Sequence, residues 1–188
     1  MLNTERNNQW PLLPVEMFIL IGSFWLSGLF ILSIIFTQHD TEAVDQLNMY
    51  MFISLGVGSL LGGYASDYIG RFIVFKAFSA LLGISSIVIL LDSWVGYVIA
   101  AGCIGLLNNL AFVIVMEMFP EKKEKYTVYL LMGWASSQIT LGILFKIIDD
   151  VLVFYLILFV LGMIFCLSVF LYMDEPAPPD NHQAEDDM

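Results

Sequence analysis

Residues 62–72, Gly-Gly-Tyr-Ala-Ser-Asp-Tyr-Ile-Gly-Arg-Phe, set an acid (Asp67), a helix-breaking glycine (Gly70) and an arginine (Arg71) into a short turn between two apolar runs. A carboxylate near a helix N-terminus is favourable and a glycine permits a sharp reversal. The chemistry on offer is therefore an ion pair at a helix junction. Two further polar groups interrupt apolar runs: the adjacent amides Asn108 and Asn109, and Gln138 with Ser136, Ser137 and Thr140. Amides at such positions are costly unless paired, and side by side on a helix they diverge by about 100°. Interhelical hydrogen bonding is their default role. No nucleophile–base pair, metal-ligand cluster or phosphate-cradling loop stands in the sequence, and the Gly-x-x-x-Asp pattern opens no βαβ unit. The sequence thus argues against an enzyme, and no catalytic residue, metal or cofactor is expected.

The elements that must position these residues belong to a membrane. Hydrophobic residues make up 59% of the chain and the mean hydropathy is +0.83, against roughly 45–50% apolar content in soluble domains. A bilayer core about 30 Å thick needs about 20 apolar residues per helix. Six runs meet that need: Met17–Phe36, Leu47–Ser66, Phe72–Leu91, Trp94–Val115, Tyr126–Phe145 and Val151–Met173. The predicted fold is all-α, with a transmembrane domain over 17–173, a cytoplasmic N-terminal segment over 1–16 and an acidic, disordered cytoplasmic tail over 174–188. The net charge of −11 owes much to that tail, where six of the eighteen acids lie. Seven Lys and Arg form no basic stripe, so nucleic acid is excluded as a partner. Cys103 and Cys166 both fall inside apolar runs, where a thiol packs as a small hydrophobe.

Loop charge supplies orientation, because Lys and Arg of short loops stay on the side of insertion. With both termini inside, Arg6, Arg71, Lys76, Lys122, Lys123 and Lys125 are cytoplasmic and Lys146 alone is outside. The turn at Asp67–Arg71 then faces the cytoplasm. Ser54, Gly58, Gly62 and Ser66 recur every four residues, a small-residue stripe that lets helices approach closely. Ordinary packing within the bundle is the expected use.

The pattern Gly63-x-x-x-Asp67-x-x-Gly70-Arg71 resembles the signature joining the second and third helices of a major facilitator superfamily half. Glu117-Met118-Phe119-Pro120, after the fourth run, looks like the Glu-x-x-Pro element of the sugar and organic-ion transporters of that superfamily. The resemblance implies that the aspartate caps and charges a helix end, that the arginine bridges to a neighbouring helix, and that Gly63, Asp67, Gly70, Arg71 and Glu117 form a cytoplasmic conformational latch. Departures from the pattern are plain. Tyr68 and Phe72 stand where basic residues are usual, and Glu124, flanked by Lys123 and Lys125, stands near the position of a further arginine.

Such transporters place the substrate site between two six-helix halves, and this sequence supplies one. The resemblance leaves three readings: a half-size transporter acting as a homodimer, a truncated gene product, or a transporter half serving as a structural subunit with other membrane proteins. The leading expectation is transport of a small solute, with Asn108, Asn109 and Gln138 on its polar path. Missing ionisable groups at the centres of the spans favour the structural subunit.

Overall fold

The computed structural model describes residues 14–37, 41–91, 93–148 and 150–173. The expected acidic tail and most of the expected N-terminal segment lie outside them. Six helices follow in order: α1 Val15–Thr37, α2 Thr41–Ile69, α3 Arg71–Leu90, α4 Trp94–Met118, α5 Lys123–Ile147 and α6 Val151–Tyr172. Each is long and apolar enough to cross a membrane, and no strand occurs among the described residues. The chain is therefore a multi-pass integral membrane protein.

Local chemistry sets the helix ends. Pro14 lacks an N–H to lose, and its carbonyl accepts from the amides of Met17 and Phe18 at 2.9 and 3.3 Å. The Asp150 carboxylate caps α6, accepting from the Leu152 amide at 2.8 Å. Between α4 and α5, Pro120 opens a short 3₁₀ turn, Pro120–Lys122, and Phe119 packs edge-on to Tyr126 with centroids 4.8 Å apart. Helix α2 begins at Thr41, six residues before the apolar run at Leu47. A helix continues through interfacial polar residues because its backbone must stay bonded there too, whereas hydropathy registers only the apolar part.

Packing follows an internal pairing. Helix α2 lies against α4 and α5 against α1; α3 also packs on α4, α6 on α1, and α3 on α6. Exchanging α1–α3 for α4–α6 maps these contacts onto one another, as expected of nested inverted repeats. Helices α1, α3 and α4 bury about half of their spans, and α2, α5 and α6 less than a quarter. Lipid is as apolar as leucine, so close packing and interhelical hydrogen bonds must hold the bundle rather than hydrophobic exclusion. Glycine supplies the closeness at both crossings. A Cβ at Gly58 would overlap the Gly102 carbonyl, one at Gly105 would overlap the Leu55 carbonyl, and one at Gly133 would come within 2.7 Å of the Ile21 carbonyl. The small-residue stripe of α2 therefore faces α4, where the Ser54 hydroxyl also donates to the Val98 carbonyl at 2.7 Å.

Candidate functional site

The turn between α2 and α3 is shorter than the sequence implies. Helix α2 runs to Ile69 and α3 starts at Arg71, leaving Gly70 as the whole connection. Gly70 has φ 105° and ψ 137°, a conformation that L side chains rarely adopt. Its amide still donates to the Ser66 carbonyl at 3.1 Å, and its carbonyl accepts from the Val74 amide at 3.1 Å. Both helices are thus hydrogen-bonded up to the reversal.

This geometry places Arg71 at the first residue of α3, with its guanidinium between two carboxylates. Nη1 is in direct ion-pair contact with Glu117 Oε1, and Nη2 lies 3.7 Å from Asp67 Oδ1. The Arg71 side chain is 26% exposed, against 67% for Asp67 and 55% for Glu117. Each charge sits at the wrong end of its own helix: Asp67 and Glu117 in the last turns of α2 and α4, Arg71 in the first turn of α3. Charges so placed are disfavoured by their own helix dipole by about 0.3–1 kcal/mol each. Across the helices the relation reverses, because the arginine meets the negative ends of α2 and α4. The cluster is therefore favourable only while the three ends stay together.

The capping role implied for Asp67 is not what the structure shows. No side-chain bond caps α3, and Asp67 pairs with Arg71 instead because the helix N-terminus it would cap begins beyond Gly70. Gly63 lies inside α2, not in a loop; a Cβ there would stand 4.0 Å from Asn109 Nδ2, an ordinary contact. Phe72, where a basic residue is usual, is buried at 9% exposure, which explains its apolar character. Tyr68 is exposed, as are Lys123, Glu124 and Lys125 at the start of α5.

Deeper in the bundle the two amides diverge as the helix period requires. Asn108 Oδ1 accepts from the Ser27 hydroxyl of α1 at 3.0 Å, while Asn109 Nδ2 donates to the Ser59 carbonyl of α2 at 3.1 Å. Helix α4 is thereby tied to two neighbours at one level. Gln138 is exposed on α5, while Thr140 of that helix accepts from Trp25 Nε1 at 3.3 Å. The sequence offered no sign of the partners Ser27, Ser59 and Trp25, since nothing local distinguishes them from other residues of apolar runs.

An ion cluster at one end of the bundle and two hydrogen-bonded amides within it join helices, and they offer no nucleophile. Among the described residues no group of three or more His, Cys, Asp or Glu could hold a metal ion. No curated protein and no solved structure matched the chain. The sequence profile described as Major Facilitator Superfamily matches residues 12–187. Six membrane-spanning helices in an inverted three-plus-three arrangement, with an arginine pinned across the ends of α2 and α4, agree with that match, and the chain belongs to the Major Facilitator Superfamily.

Proposed function

We propose that this chain carries a small solute across a membrane as a half-size transporter, two copies enclosing the path that one bundle does not. The observation that carries the reading is Arg71, held by carboxylates from both α2 and α4 at one end of the bundle. Half-exposed ion pairs are worth about 0–1 kcal/mol each, so the junction can open and close at modest cost. That is what a latch between inward- and outward-open states requires. Asn108, Asn109 and Gln138 are assigned to the polar wall of the path, the two asparagines each having a second end beyond the bond named above and Gln138 being exposed. In this reading the chain has no catalytic activity and needs no cofactor.

A second reading is an accessory subunit that moves nothing. It is favoured by the amide bonds themselves, which serve bundle cohesion, and by spans whose charged residues lie toward their ends. Reconstitution into vesicles with a panel of sugars and organic ions, alongside cross-linking, separates the two. Flux with a cross-linked homodimer supports transport; no flux with other membrane proteins co-purifying supports the accessory role. A stable monomer with neither flux nor partners sinks both.

Orientation is part of the proposal, with both termini and the α4–α5 turn cytoplasmic. Single cysteines at Asp45 and Lys123, in a background lacking Cys103 and Cys166, should react differently with an impermeant reagent on intact cells. Labelling at Lys123 but not at Asp45 would reverse the topology.

A further inference from the structure

The inverted pairing of helices is unequal at one seam. Helix α3 closes on α4, where a Cβ at Gly96 would come within 2.8 Å of the Ile89 amide nitrogen, whereas the equivalent seam between α1 and α6 holds a groove of about 350 Å³. Its floor is Ile19, Leu26 and Phe165, exposed by 7%, 2% and 8%, and its rim includes Phe18, Ile164 and Tyr172, all more than half exposed. Gly22 lines it too, and among the described residues nothing beyond its own stretch of helix lies within 4 Å of where its Cβ would be. Of the three side chains of the lining with hydrogens to give, two have spent them, Ser168 Oγ on the Ile164 carbonyl at 2.8 Å and Trp25 Nε1 on Thr140, and the third, Tyr172, stands at the rim. Among the described residues no charged one lines the groove. Below the Tyr172 hydroxyl, whatever fills it needs no hydrogen bonds.

Size decides among apolar occupants. The groove runs from Val15 to Leu26 on α1 and from Tyr172 to Leu161 on α6, about 16 Å at 1.5 Å per residue. Spread over that length, 350 Å³ gives a mean cross-section of about 20 Å². A helix 10–12 Å wide needs roughly four times that area. A methylene chain bounded by carbon contacts near 4 Å is thin enough to enter. The length also matches half of a hydrocarbon core about 30 Å thick, that is, one leaflet. Val15 and Tyr172 mark the bundle end that carries Arg71, because α1 and α3 start there and α2, α4 and α6 finish there. We propose that the seam between α1 and α6 is a binding site for one hydrocarbon chain of a membrane lipid, drawn from the leaflet on the Arg71 side and reaching down to Trp25. The chain completes the packing that the protein itself leaves open.

Trp25 is a built-in reporter. With Trp10, Trp94 and Trp134 changed to Phe, the full chain is reconstituted into vesicles of phosphatidylcholine whose acyl chains carry bromine, a contact quencher of tryptophan. Trp25 fluorescence should be quenched, and Gly22→Phe, which fills the groove from α1, should remove most of that quenching. Ser168→Phe fills it from α6 and should do the same, guarding against a failure of either variant to fold; far-ultraviolet circular dichroism checks both. Trp25 unquenched in the parent would mean that a protein segment or a second copy covers the seam, and the proposal would fall. Equal quenching in the parent and in a folded, filled variant would mean contact with bulk lipid and no site, with the same result.

Discussion

The α2–α3 hairpin touches α4 in two regions that differ in kind. At mid-depth the contact is steric: Gly58 and Gly105 bring backbone onto backbone, and Asn109 bonds the Ser59 carbonyl. At the Arg71 end it is electrostatic, between groups that are a quarter to two-thirds exposed. The difference follows depth. In hydrocarbon a parted hydrogen bond has no water to replace it, while at the interface each partner of an ion pair can be rehydrated. The hairpin is therefore joined to α4 by backbone contact and an amide bond in the middle, and at its end by an ion pair whose partners water can reach.

Substitution at the fixed region should have the largest effect. Gly105→Leu would drive a side chain into the Leu55 backbone, which cannot yield as a side chain could; a loss of about 3 kcal/mol is expected, the upper end for overpacking. Thermal unfolding in detergent measures it, with Gly63→Ala as the contrast, since its nearest new neighbour is 4.0 Å away. Similar losses for the two would break the assignment of the seam to the Gly58–Gly105 crossing.

Gly70→Ala comes next. The substitution forces a Cβ into φ 105°, at a cost of about 1–3 kcal/mol, and the strain should also displace Arg71 from Glu117. If the same melt shows no loss, the one-residue reversal between α2 and α3 is wrong.

Asn109→Leu and Glu117→Gln should each lower stability by about 1 kcal/mol, an interhelical hydrogen bond in one case and a half-exposed ion pair in the other. Their salt dependence sharpens the comparison. The Glu117 effect should shrink as salt rises, and the Asn109 effect should hold. Two effects that shrink together would mean that water reaches the middle of the seam.

Asp67→Asn should change stability least, by about 0.5 kcal/mol or less, because its carboxylate is the more exposed and stands 3.7 Å from the guanidinium. Cysteine accessibility on the two sides of the bundle gives the functional readout: both Asp67→Asn and Glu117→Gln should shift it, Glu117→Gln further. Unchanged accessibility in both would leave the cluster a static tie and not a latch.

Much of this was already legible along the chain. Six apolar runs fix six helices because unpaired backbone is intolerable in lipid, and the Gly70-Arg71 step announces a reversal because a glycine there is free of Cβ strain. The Gly63-x-x-x-Asp67-x-x-Gly70-Arg71 and Glu117-x-x-Pro120 patterns likewise pointed to the family, since charges, glycines and prolines are conspicuous between apolar runs. Tertiary structure alone decided which helix each polar group meets. Asn108 turns to Ser27 and Asn109 to Ser59 because adjacent residues point to different faces, and the neighbour on each face is a matter of three-dimensional packing. The same holds for the open seam between α1 and α6: every residue lining it reads as ordinary apolar span, and the space between two helices belongs to neither sequence segment.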